Sequence, residues 1–372
     1  MKIMKILFIY GTRPEAIKMA PLVKAFQRHP DAFIVKVCLT GQHREMLRQV
    51  NEFFEINADY DLYLMQPGQS LAEFNARCMA ALDPIIEQDK PDLVFVQGDT
   101  TSVLVGAIAS YYRNVPVAHL EAGLRSGDMY SPFPEEMNRR LAGQIATWHF
   151  APTQVAADNL TREGITANVY VVGNTVIDAL KLGLELIKTK GDAAYRAEFS
   201  YLDPSRRVVL VTGHRRESFG DGFERICAAL IRLTLEHPDL QIVYPVHLNP
   251  NVREAVWRTL GKIPSIHLIE PIGYPSMIWL LNRSTIVLTD SGGIQEEAPA
   301  LGKPVLVMRD KTERVEGIES GMAKLVGTDP EKIVMEAGKL LNDVGAYAAM
   351  VKAVNPYGDG TTSEQIVKIL LV

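Results

Sequence analysis

Cysteine is scarce in this chain: Cys38, Cys78 and Cys227 are scattered over 372 residues, without the pairing of a disulfide framework or the spacing of a metal or redox motif. A reducing cytoplasm is the expected setting. Long apolar runs are also missing. The opening MKIMKILFIYGTRPE holds five consecutive apolar residues, Ile6 to Tyr10, too few for a secretory signal, and no stretch reaches the roughly 20 residues of a membrane span. Positive charge is not in excess either. The 39 Lys and Arg against 44 Asp and Glu give a net charge of −5, and basic residues occur only as local pairs such as Arg139-Arg140, Arg206-Arg207 and Arg215-Arg216. Binding to a nucleic acid or a membrane surface is therefore not expected. No HExxH, paired cysteine or DxD cluster suggests a metal, and no GxGxxG follows a strand.

What remains, 47 % hydrophobic and 22 % charged, suits two globular domains, each with its own core. Short β-rich runs alternate with longer helical patterns: KILFIY then PEAIKMAPLVKAFQ, FIVKVCLT, DLVFVQGD then TSVLVGAIASYYR, and PVAHLEA. Runs such as LVFVQ are apolar on both faces, which calls for parallel strands covered by helices on either side. A second series, VVLVTGH, QIVYPVH, IHLIEP, TIVLTD and PVLVMR, follows a polar and weakly patterned interval from Lys188 to Arg207 that is expected on the surface or mobile. The reading is an α/β chain of two Rossmann-like domains, residues 1–171 and 172–360, with a C-terminal helix over 361–372 packing back on the first.

In open α/β sheets ligands collect at the carboxyl ends of strands. After STIVLT come Asp290, Ser291, Gly292 and Gly293, which offer a hydroxyl, unhindered amides and a helix N-terminus to an anion. Glu297, four residues beyond Gly293, shares its helix face and suits sugar hydroxyls, whereas Glu296 points about a quarter-turn away. The plain alternative is that Ser291 only caps the helix. In GTRPEAIK, Pro14 suits the first helical position, with Arg13 at the helix mouth and Lys18 a turn deeper; both suit phosphate, or else pair with surface carboxylates. Asp99 follows DLVFVQG, His119 and Glu121 alternate at the end of a strand, and Glu135 opens a helix. Asp99 as a helix cap and Glu135 paired with Arg139 are the structural alternatives. His214, Arg215 and Arg216 follow VVLVTG, Arg314 follows PVLVMR, and His247 reads as a hydrogen-bonded histidine at a strand end.

Taken together, GTRPEAIK, QGDT, HLEAGLR, SPFPEEMNR, TGHRRESFG, YPVHLNP and DSGGIQEEAPALGKPVLVMR resemble the non-hydrolysing UDP-N-acetylglucosamine 2-epimerases, from Lys5 to the C-terminal helix. The resemblance implies the glycosyltransferase-B arrangement with the ligand in the interdomain cleft. It also implies interconversion of UDP-GlcNAc and UDP-ManNAc through 2-acetamidoglucal, no nicotinamide or obligatory metal, and a homodimer. Asp99, Glu121 and Glu135 match the family's catalytic acids, and by the same resemblance His214 would assist the leaving group. Arg13, Lys18, His214, Ser291, Gly292, Gly293, Glu297 and Arg314 would bind UDP. Met277 stands where members often place an aromatic beside uracil, and a thioether can pack there. Gln42, His43, Gln69, Arg215 and His247 fit the pocket in which bacterial members take UDP-GlcNAc as an activator, although Gly68 stands where some activated members carry arginine. Three rivals share much of this pattern: a hydrolysing relative, a retaining glycosyltransferase and a catalytically silent sensor. Glu121 and Glu135 count against the transferase.

Overall fold

The computed structural model describes residues 3–41, 44–215 and 220–371, with the backbone alone for 44–46 and 251. It divides into two compact units, Met1–Leu182 with Tyr357–Val372, and Gly183–Pro356.

The first unit runs β1 (Met4–Tyr10), α1 (Arg13–Gln27), β2 (Phe33–Leu39), α2 (Arg44–Phe53), β3 (Tyr60–Asp61), α3 (Leu71–Asp89) and β4 (Leu93–Gln97). It continues through α4 (Thr101–Tyr112), β5 (Val117–Leu120), α5 (Glu135–Ile145), β6 (Trp148–Ala151), α6 (Gln154–Arg162), β7 (Val169–Val171) and α7 (Thr175–Lys190). The second takes over inside α7 at Gly183 and runs through α8 (Ala193–Glu198), β8 (Arg207–Thr212), α9 (Asp221–Glu236), β9 (Leu240–Pro245), α10 (Pro250–Leu260), β10 (Ile266–Ile269) and α11 (Tyr274–Arg283). Then come β11 (Ile286–Thr289), α12 (Gly292–Ala300), β12 (Val305–Val307), α13 (Val315–Glu319), β13 (Ala323–Leu325), α14 (Pro330–Asn342) and α15 (Val344–Val351), before α16 (Thr362–Leu371) returns to the first unit.

Among the described residues the strands form two parallel sheets, ordered β3-β2-β1-β4-β5-β6-β7 and β10-β9-β8-β11-β12-β13. The continuous apolar runs explain why. Each residue of β4 is buried, and Phe95 stacks on Phe8 at 5.0 Å and on Phe150 at 6.0 Å, joining β1, β4 and β6 in one layer of side chains. Phe95→Ala would cost about 3–5 kcal/mol. In each sheet the strand order reverses once, between β1 and β4 and between β8 and β11. Helices leave the two central strands toward opposite faces there, so a crevice opens at their carboxyl ends. The loops carrying Arg13 and Asp99 flank the first crevice, and those carrying His214 and Ser291 flank the second.

Two expectations need correction. The change of unit falls inside α7 rather than at Val171, because Val176, Ile177, Ala179 and Leu180 are buried in the first unit. The returning chain joins there, with the Tyr357 carbonyl accepting the Asn174 N–H at 2.7 Å, and α16 packs on α1. The polar interval after Lys188 is not simply a surface loop: it holds α8, and Phe199 and Leu202 are buried, with Phe199 stacked on Trp279 at 5.2 Å.

Candidate active site

At the first crevice, β4 ends at Gln97 and the chain turns through Gly98, at φ +78°, into Asp99. Thr100, not Asp99, caps α4, accepting the Val103 N–H at 3.4 Å. Asp99 is left to take a hydrogen bond from Arg139 Nη2 at 2.5 Å. Enclosure by protein raises the Asp99 carboxyl above its usual range; Arg139 and Lys18 oppose this, while Glu121 and Glu135 add to it. Asp99 therefore feels both other carboxylates singled out from the sequence.

Glu135 opens α5, half-buried and without a side-chain hydrogen bond among the described residues. The expected pairing with Arg139 is absent because Arg139 turns to Asp99 and lies 3.6 Å from Glu136. Glu136 is the buried carboxylate of this helix, taking the Ser126 N–H at 3.0 Å and Arg140 Nε at 2.9 Å.

Glu121 lies just past β5 at φ +64°, so strand alternation with His119 ends before it. A left-handed backbone at a residue with a Cβ costs about 1–2 kcal/mol, and here side-chain contacts hold it. Lys18 Nζ donates to Oε2 at 2.5 Å, Gln97 Nε2 also donates to Oε2, and Asn174 Nδ2 donates to Oε1 at 3.3 Å. Gln97 and Asn174 carried no signal in the sequence, and the carboxylate that Lys18 meets is Glu121 rather than one on the surface. Nearby, His119 donates from Nε2 to the Gly98 carbonyl at 2.7 Å, and burial pulls its ring down to about 4, so it is neutral at pH 7. Helix α1 begins at Arg13, one residue before Pro14, and Arg13 is half-buried and pairs with no carboxylate among the described residues. Glu15 folds back over the helix start; burial raises its carboxyl against the hydrogen bonds from Thr12, Thr100 and Gly11.

At the second crevice, Thr212 and Thr289 are aligned on β8 and β11 and share a 2.6 Å hydroxyl hydrogen bond. The buried Asp290 follows. Its Oδ2 accepts the backbone N–H groups of His214 at 2.7 Å and Arg215 at 2.8 Å, while Oδ1 stands 3.0 Å from His214 Nδ1. Burial by itself would raise the Asp290 carboxyl, but His214 and these amides outweigh it and hold the group below its usual range. With Nδ1 engaged, Nε2 is the polar atom of the His214 ring left for other work. His247 stacks on this ring at 5.6 Å and accepts the Asn249 N–H on Nδ1 at 3.1 Å.

Ser291 occupies the N-cap of α12, yet its side chain makes no capping hydrogen bond, so capping does not account for it. A Cβ at Gly292 would stand 3.7 Å from Arg314 Cζ: the guanidinium lies over the helix mouth. Glu296, expected to point away, is buried and binds Arg314 Nε at 2.5 Å. Glu297 accepts the Tyr274 hydroxyl at 2.9 Å, and its other oxygen would be 3.7 Å from a Cβ at Gly293. Met277 is half-buried on α11, the helix that Tyr274 begins. Amides, a hydroxyl, an arginine and a histidine thus surround one helix N-terminus, a suitable set for a phosphate group.

Of the residues assigned to an activator pocket, Gln42 and His43 lie outside the described residues, as does Arg216. In the first unit Gln69 lines a cavity of ≈ 640 Å³ with Gly41, Tyr63, Met65, Phe74 and Thr101. In the second unit Arg215 Nε reaches the Asp290 carbonyl at 3.4 Å. Among the described residues no group of three or more His, Cys, Asp or Glu could hold a metal ion, and no helix is long and apolar enough to cross a membrane.

Two Rossmann-like units, one with clustered carboxylates at its switch point and the other with an anion cradle, define an α/β enzyme of the glycosyltransferase-B type. The sequence model of the family described as UDP-N-acetylglucosamine 2-epimerase matches residues 24–371. UDP-N-acetylglucosamine 2-epimerase of Escherichia coli K12 is 53 % identical over 370 residues, covering 99 % of this chain and 98 % of the relative. That of Yersinia pestis is 54 % identical over 370 residues, with the same coverage. A crystal structure of the Neisseria meningitidis enzyme bound to UDP-GlcNAc is 46 % identical with a TM-score of 0.89, covering 99 % of this chain and 100 % of that one. The chain belongs to the UDP-N-acetylglucosamine 2-epimerase family of isomerases.

Proposed function

We propose that the chain interconverts UDP-GlcNAc and UDP-ManNAc at sugar carbon 2 by loss and return of UDP, without net hydrolysis. The proton on carbon 2 is not acidified by a carbonyl, so its removal must accompany departure of UDP from carbon 1. A base takes the proton, the carbon 1 to oxygen bond breaks, and the electron pair of the C–H bond forms the double bond of 2-acetamidoglucal. Return of a proton to the opposite face and re-addition of UDP invert the centre. No net oxidation occurs, so no hydride carrier is required.

This chemistry needs proton-transfer groups for two faces of the sugar and fixed positive charge for the pyrophosphate. The observation that carries the reading is the clustering of carboxylates and cations at one switch point: Arg139 on Asp99 at 2.5 Å, Lys18 on Glu121 at 2.5 Å, and Glu121 and Glu135 close enough to raise the Asp99 carboxyl. A free carboxylate with pKa near 4 is a weak base, and the raised Asp99 carboxyl suits proton transfer better. His214, Ser291, Gly292, Gly293 and Arg314 hold the pyrophosphate; each charge-assisted hydrogen bond contributes about 1.5–3 kcal/mol. Glu297 takes the ribose and Met277 packs beside uracil. Lys18 acts through Glu121, which it holds by a 2.5 Å ion pair. UDP-GlcNAc in the Neisseria relative supports this choice of ligand.

The same reading makes the protein a cytoplasmic homodimer supplying ManNAc units for cell-surface polysaccharide, with UDP-GlcNAc as an activator. A sigmoidal dependence of initial rate on UDP-GlcNAc tests the activator, and a hyperbolic one removes it. Product analysis by NMR tests the reaction. UDP-ManNAc as the product supports epimerisation, whereas free ManNAc with UDP would mark a hydrolase.

A further inference from the structure

Three consecutive residues around Asp99 are gripped by side chains from three other elements. His119 holds the Gly98 carbonyl at 2.7 Å, Asn138 Nδ2 holds the Asp99 carbonyl at 2.9 Å, and Thr100 Oγ1 donates to Glu15 Oε1 at 2.7 Å. Glu15 goes further, because its Oε2 accepts the backbone N–H groups of Gly11 at 3.0 Å and Thr12 at 2.6 Å. This carboxylate, only 1 % exposed, joins the loop that leads into Arg13 to the loop that carries Asp99. The junction has no slack. A Cβ at Gly11 would stand 2.0 Å from Thr40 Oγ1 and 2.8 Å from Ser102 Oγ, and those two hydroxyls are themselves hydrogen-bonded at 2.8 Å.

A buried carboxylate is costly, and a neutral side chain would serve to start a helix. What a carboxylate adds is acceptor capacity on both oxygens at once. We propose that Glu15 is a positioning residue: through Thr100 and the Gly11 and Thr12 amides it sets the spacing between Asp99 and Arg13, and the rate of epimerisation depends on that spacing. The inference rests on the reading of Asp99 as a proton-transfer group. A glutamine at this position has one acceptor oxygen, so with that oxygen on the two amides it keeps Thr100 only by reversing the bond, donating its NH₂ to an Oγ1 that already accepts the Val103 N–H. Displacement of a reacting group by about 1 Å costs on the order of 10²-fold in rate.

Four variants test it: Glu15→Gln, Thr100→Val, Thr100→Ser and Asp99→Asn. Thr100→Val removes the hydroxyl but leaves Glu15 on its two amides, so it serves even if Glu15→Gln does not fold. The expected result is a fall in kcat of about 10- to 100-fold for Glu15→Gln and Thr100→Val, well below their melting temperatures. For Thr100→Val the Kd for UDP stays within about twofold, and Thr100→Ser, which restores the hydroxyl, recovers most of the rate. A lost helix cap alone would lower Tm and leave kcat in place. If wild type epimerises and Asp99→Asn does not, while both clamp variants keep wild-type kcat, Glu15 has no positioning role. If Asp99→Asn also keeps wild-type kcat, the reading of Asp99 falls and the clamp falls with it.

Discussion

Asp290 Oδ1 lies 3.0 Å from His214 Nδ1, while Oδ2 of the same carboxylate accepts the backbone N–H of His214 at 2.7 Å. Ring and backbone are therefore fixed by one buried group. If His214 assists departure of UDP, Asp290→Asn loosens the ring and reverses one of the backbone contacts. The expected result is a fall in kcat on the order of 10²-fold with a smaller change in KM. Steady-state rates at saturating UDP-GlcNAc check this, and an unchanged kcat would leave Asp290 a loop anchor alone.

The same carboxylate sets a pH signature. Its folded pKa is depressed, so the folded state binds fewer protons there than the unfolded chain does. Ionised Asp290 stabilises the fold above its unfolded pKa of about 3.9, and that contribution is lost as pH falls through the lower folded value. Urea midpoints of wild type and Asp290→Asn are expected to differ most at neutral pH and to converge toward acid. A difference that stays constant with pH would contradict the assignment.

Arg139 opposes the rise of the Asp99 carboxyl. Removing that charge in Arg139→Gln leaves burial, Glu121 and Glu135 acting against Lys18 alone. If ionised Asp99 is the working form, the acid limb of the kcat/KM profile moves to higher pH in this variant. A pH–rate series at one ionic strength checks the direction, and a shift to lower pH would rule Asp99 out as that group.

Lys18 and Glu121 form a largely enclosed pair, with side chains 18 % and 6 % exposed. Lys18→Met leaves the carboxylate with its amide donors but without that ammonium, at an expected cost of about 3 kcal/mol in unfolding free energy. Adding Glu121→Gln removes the stranded charge and recovers much of that loss. Equal and additive losses in a double-mutant cycle would show that the two residues do not interact.

Glu296 holds Arg314 over Gly292. Glu296→Gln keeps the shape but not the charge, and the Kd for UDP is expected to rise about 5- to 20-fold, in line with about 1–2 kcal/mol for a weakened charged hydrogen bond. Calorimetric titration with UDP measures this, and an unchanged Kd would separate Arg314 from the nucleotide.

Much of this was legible because strand chemistry is local. LVFVQ declares a strand buried on both faces, and the polar residues after VVLVTG and TIVLTD fall at carboxyl ends in any parallel sheet. What escaped depends on which strands lie side by side. Asp290 meets His214 because β8 and β11 are neighbours, and sequence spacing cannot show that. Gln97 at the end of β4 and Asn174 just before α7 meet at Glu121, and single amides have no pattern. Helical spacing offers Glu135 as a partner for Arg139, but the tertiary partner is Asp99. Glu121 itself stands in a left-handed conformation that strand alternation does not foresee.

The most direct test is incubation of the purified protein with UDP-GlcNAc in deuterium oxide, following the sugar protons by NMR. Loss and return of UDP predicts UDP-ManNAc carrying deuterium at carbon 2. UDP-ManNAc that retains the original proton at carbon 2 would contradict proton transfer through solvent-exchangeable groups, and with it the role given to Asp99, Glu121 and Glu135.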